Sequence, residues 1–135
     1  RTLLNSGNVV FTAPGPAGPQ ALTTQLETAL RSAFGFDIPV ILRPLAELEA
    51  LTAAKPFAFA PPDTRLNVTF LGTPPGSVTL PSVPGVTFTR TTDREICSAV
   101  ATSVSTLTLM DLLEKTCGKN LTTRRWDTVQ RALAA

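Results

Sequence analysis

Apolar positions recur along the chain with two periods, and each change of period predicts a change of element. Thr2 to Phe11 is extended in character, with Val9, Val10 and Phe11 as strong strand formers and Asn5 to Asn8 suited to a bulge or local turn. From Gln20 to Phe34 the period lengthens: Leu22, Leu26, Ala29, Leu30 and Ala33 form one helical stripe. Pro19 fits its first turn and Gly35 its end. Phe36 to Arg43 returns to alternation, with Ile38, Val40 and Leu42 on one face of a predicted strand that Pro39 consigns to an edge. Pro44 to Ala54 predicts a short helix on Leu45, Leu48 and Leu51.

The second half repeats this alternation of periods. Arg65 to Leu71 reads as a strand in which Leu66, Val68 and Phe70 oppose Asn67 and Thr69. Val86 to Thr91 and Glu95 to Ala101 pair as a hairpin around Thr92, Asp93 and Arg94. Leu107 to Cys117 is helical through Leu109, Met110, Leu112 and Leu113, with Gly118 as its stop. Thr123 to Leu133 carries Trp126, Val129 and Leu133 on one stripe, capped by Thr122 or Thr123. The interleaving predicts an α+β fold with a mixed or antiparallel sheet covered by helices.

The 135 residues suit one domain, 1–135, with two subdomains, 1–72 and 73–135, as the alternative division. Apolar residues at 43% against 16% charged exclude intrinsic disorder. The net charge of +2 is too small for a general nucleic-acid or membrane surface. It is unevenly spread: Lys115, Lys119, Arg124, Arg125 and Arg131 face Asp127 alone, a net +4 near the end of the chain. No apolar run spans a bilayer and no signal-peptide pattern occurs, so a cytoplasmic location is expected. Because the chain runs from Arg1 straight into strand-like residues, it has the look of a fragment.

The most restrictive fact of composition is the absence of histidine. It excludes a Ser-His-Asp triad, a Cys-His pair and imidazole metal ligation. Cys97 and Cys117 have neither the spacing nor the companions of a zinc site and read as reduced thiols. Nucleotide-binding glycine motifs are also missing, so no cofactor and no metal are expected.

Two clusters remain as candidate binding residues. Asn5, Ser6, Gly7 and Asn8 bring amides and a hydroxyl beside a strand, with Gly7 admitting close backbone approach. Lys119, Thr123, Arg124 and Arg125 surround a predicted helix start, where free N–H groups and guanidinium forks suit a phosphate or carboxylate.

Several phrases also resemble one family. Asn5-Ser6-Gly7-Asn8-Val9-Val10-Phe11, Phe34-Gly35-Phe36-Asp37-Ile38-Pro39-Val40 and Leu66-Asn67-Val68-Thr69-Phe70-Leu71 follow in the order found in the bacterial family called domain of unknown function 1697. The helix Leu107 to Cys117 and the tail Thr122 to Val129 are similar to that family's closing phrases, although Arg125 and Asp127 stand where it tends to have Asn. The resemblance implies a ferredoxin-like first half that here lacks the family's opening strand and helix. It implies no reaction.

The expected function is therefore binding, of an anionic small molecule or a protein partner. The alternative is a histidine-independent enzyme whose site joins Asn5–Asn8 to Arg124 and Arg125. A strand edge near Asn5 to Phe11 would allow self-association as a homo-oligomer.

Overall fold

Burial is deepest along two adjacent interior strands, and the rest of the molecule is arranged around them. In the computed structural model, which describes residues 2–3, 7–13 and 15–135, the first of these is β3 (Thr64–Leu71). It pairs antiparallel with β5 (Glu95–Ala101), Val68 opposite Cys97, and on its other side with β6 (Leu121–Arg125), Thr69 opposite Thr123. A further strand, β4 (Val86–Thr91), makes the predicted hairpin with β5, with a register shift between Phe88 and Arg90. Thr92 secures the turn: its hydroxyl accepts from the Arg94 and Glu95 amides, each at 3.1 Å. The sheet order is β4-β5-β3-β6, all antiparallel, which makes the fold α+β.

Helices cover both faces of this sheet. On one, Val68, Phe70 and Cys97 pack with Leu48 and Leu51 of α2 (Leu45–Ala53) and Val129 of α4 (Trp126–Ala134). Phe57 meets Trp126 edge-on there, ring centroids 5.3 Å apart. On the other, Leu71, Ile96 and Val100 pack beneath Leu109 and Leu113 of α3 (Thr106–Cys117). The alternation in β3 predicted one wet face, yet Asn67 and Thr69 are buried as well. Thr69 stays satisfied because its hydroxyl meets that of Thr123 at 2.8 Å. Cys97 and Cys117 belong to opposite faces, and both are free thiols.

The remaining elements lie toward the α2–α4 side. A small hairpin joins β1 (Thr2–Leu3) to β2 (Asn8–Val9), and Gly7 takes the positive φ (78°) that its turn requires. The following helix, α1 (Pro19–Phe34), has Pro at its start, and Gly35 (φ 79°) closes it by donating to the Arg31 carbonyl. Yet none of its sixteen residues is buried.

Two predicted elements are different. Phe36 to Arg43 is not a strand; the backbone there is irregular and is tied down by side chains instead. The Val40 amide donates to Glu27 Oε1 at 3.0 Å, and Arg43 donates to the carbonyls of Leu42, Leu71 and Arg94. Pro39 removes a ladder donor from this stretch, Pro44 follows directly as the N-cap of α2, and both sides of β3 are already taken.

The helix expected from Thr123 begins only at Trp126, because Leu121–Arg125 pairs with β3. β-Branched Thr122 and Thr123 suit that pairing. The first turn of α4 has no side-chain N-cap bond, and neither threonine caps it.

Candidate functional site

Because Thr122 to Arg125 is a strand, consecutive side chains point to opposite faces. Arg124 lies opposite Val68, on the face that carries α2 and α4. Thr123 and Arg125 lie on the face that carries α3. The Arg124 guanidinium is held by a contact that spans 116 positions: its Nε donates to Asn8 Oδ1 at 2.6 Å. Its Nη1 donates to Thr122 Oγ1 at 2.6 Å and to the Thr123 carbonyl at 2.9 Å. Partial burial lowers its pKa from the ordinary arginine value, but a guanidinium remains charged at any physiological pH.

Arg124 and Asn8 stand on one wall of a cavity of about 1040 Å³. Gly7, beside β2, Thr122 of β6, and Lys119 and Asn120 of the loop before β6 line it as well. Most of the remaining lining is apolar, including Leu22, Leu26 and Leu30 of α1, Val40 and Leu42 of the irregular segment, and Val9, Phe11 and Leu121. Phe70 and Val129 contribute from the sheet and α4. Among the described lining residues none is acidic.

Arg43 also borders the cavity, and the sequence reading missed it. Its side chain is only 10% exposed, sits 5.8 Å from the Phe70 ring centroid and approaches Glu47 at 3.8 Å. Burial and then Arg94 lower its pKa. With three carbonyls and a carboxylate around it, Arg43 clamps the irregular segment to the sheet rather than facing a ligand. Its i,i+4 spacing to Glu47 is a local signal, but the Leu71 and Arg94 carbonyls that bind it to the sheet lie 28 and 51 positions away.

A family model described as a protein of unknown function (DUF1697) matches residues 1–99. The chain belongs to the DUF1697 family. No curated protein and no solved structure matches it. The DUF1697 match takes in the first three resembling phrases and ends within β5. It therefore stops short of α3, β6 and α4, and short of the closing phrases that the sequence reading also likened to the family.

In this DUF1697 chain the predicted site residues separate. Gly7, Asn8, Lys119 and Arg124 line the cavity together, whereas Asn5 and Ser6 lie outside the described residues. Thr123 and Arg125 do not line it, and Arg125 is exposed with its Nε 3.9 Å from Asp127. Both arginines immediately precede α4, Arg125 as its N-cap residue, but strand alternation sends only the Arg124 side chain to the cavity. Lys119 sits on the rim, where Glu27 and Asp37 share a shallower depression of about 430 Å³ with it.

Cys97 is an unpromising nucleophile: burial, and secondarily Glu95, push its thiol up to about 12. Among the described residues no cluster of potential ligands could hold a metal, and no helix is long and apolar enough to cross a membrane.

Proposed function

We propose that the cavity binds a small anionic molecule, with the Arg124 guanidinium as its anchor. The observation that carries this reading is the convergence of Arg124, Asn8 and Thr122 on one wall of a space whose described lining includes no carboxylate. A guanidinium in a partly desolvated wall binds phosphate or carboxylate more strongly than one in water, and its planar fork fixes orientation. Lys119 at the rim adds to the attraction. The alternative, a histidine-independent enzyme joining Asn5–Asn8 to Arg124 and Arg125, would share the Asn8–Arg124 contact but have Arg125 outside the cavity. The two free thiols suit a reducing compartment, which favours a cytoplasmic setting.

The test is a thermal melt with anions graded in size from inorganic phosphate to dodecanoate. A ligand at a hundred times its Kd adds about 2.7 kcal/mol, enough to raise the Tm by several degrees. At least one anion is expected to do so saturably in the native protein and to lose the effect with Arg124→Gln but not with Arg125→Gln. Absence of any saturable shift, or equal loss with both substitutions, would overturn the reading.

A further inference from the structure

We infer that the cavity takes an amphipathic anion, a carboxylate or related acid bearing a linear apolar tail; this rests on the anion reading above and specifies the ligand class. Three observations carry it.

The first is the state of α1. An isolated helix of this length is marginal in water, and amphipathic helices draw most of their stability from burying the apolar face. Here the stripe is well formed, but Leu22, Leu26 and Leu30 remain partly exposed along the cavity, and no residue of the helix is buried.

The second is the mixed lining. The apolar stripe of α1, Val40 and Leu42 share one cavity with the polar groups of Asn8 in β2, Thr122 and Arg124 in β6, and Lys119 and Asn120 in the loop before it. Leu22 to Leu30 covers about 12 Å at the helical rise, a length that suits an extended chain of about ten carbons. A compact polar metabolite would leave this stripe in contact with water.

The third is charge. Lys119 and Arg124 line the space with no acidic residue among the described lining, which is complementary to an anion and opposed to a cationic amphiphile. Arg43, already engaged by Glu47 and three carbonyls, is part of the frame.

The experiment measures binding to the full chain by calorimetry and by fluorescence of Trp126, which packs in the core cluster that contains cavity-lining Val129. The probes are butyrate, octanoate and dodecanoate below their aggregation concentrations, with dodecanol and dodecyltrimethylammonium as controls. One dodecanoate per chain is expected, with affinity rising up to about fourfold per added methylene. Arg124→Gln is expected to weaken dodecanoate at least tenfold while leaving dodecanol unchanged, and Arg124→Lys, which keeps the charge, to retain most of the binding. Leu26→Asn should weaken dodecanoate and leave butyrate unaffected.

Butyrate binding as tightly as dodecanoate would overturn the tail and leave the anion reading standing. Dodecanol or the cationic amphiphile matching dodecanoate, with Arg124→Gln indifferent, would overturn the anion reading itself. A concentration-dependent dimer that excludes dodecanoate would make a second copy of the chain the occupant and overturn the inference.

Discussion

Helices α1 and α3 make an instructive pair. The longer one has the cleaner amphipathic stripe, a proline start and a glycine stop, yet it buries nothing. The shorter one buries Leu109 and Leu113 completely, and Ser105 caps it by accepting the Thr108 amide at 3.1 Å. A stripe makes a helix amphipathic, but only a surface already in place can receive it. Helix α3 meets Leu71, Ile96 and Val100 on the closed face of the sheet, whereas α1 borders a cavity.

The largest expected difference lies in truncating the two stripes. Leu109→Ala should cost about 2–5 kcal/mol in urea unfolding, because it removes a fully buried side chain and leaves a void. Leu26→Ala, in the absence of ligand, should cost less than about 1 kcal/mol. Comparable losses would mean that α1 is packed as tightly as α3.

The two faces also differ through their thiols. Cys97 ionises near 9 when unfolded and about 12 when folded, so stability from its neutral thiol is intact below pH 9 and lost as pH rises toward 12. The loss is at most about 4 kcal/mol, and a Cys97→Ala variant should show a flatter alkaline stability profile. At neutral pH a thiol reagent should modify partly exposed Cys117 first and reach Cys97 only on unfolding. Equal rates would contradict the burial of Cys97.

Removing the α3 cap has a smaller consequence. Ser105→Ala should cost about 1 kcal/mol in chemical denaturation, since it leaves a first-turn amide without its partner. At α1, where Gly18 supplies no side-chain bond, there is no such cap to lose. Smallest of all is a difference in fluctuation: hydrogen exchange should open the α1 amides before those of α3, and dodecanoate should slow α1 selectively.

Much of the fold was legible in short stretches. Pro19 and Gly35 bracketed α1, Thr92 to Arg94 marked the β4–β5 turn, and Leu48 and Leu51 announced the buried side of α2. Each of these signals acts within a few residues of the backbone it shapes. The failures share one cause. Ile38, Val40 and Leu42 alternate as a strand should, but no described strand pairs with them, and the Arg43 bonds to Leu71 and Arg94 hold the segment in another way. Thr122 to Arg125 looks like a cap and first turn, but β3 claims it as a strand. The site followed the same logic: Asn8 and Arg124 were each visible as polar residues, while their meeting, and the parting of Arg124 from Arg125, were not.

The sequence by itself determined that this chemistry is free of histidine, that the architecture is α+β, and where most helices and turns begin and end. It did so because capping, glycine and proline geometry and apolar period are local properties of the chain. Only the tertiary structure decided which stripe is buried, which arginine enters the cavity and which sheet face each cysteine occupies. Those outcomes depend on strand pairing between residues far apart, and a one-residue change of face reverses them.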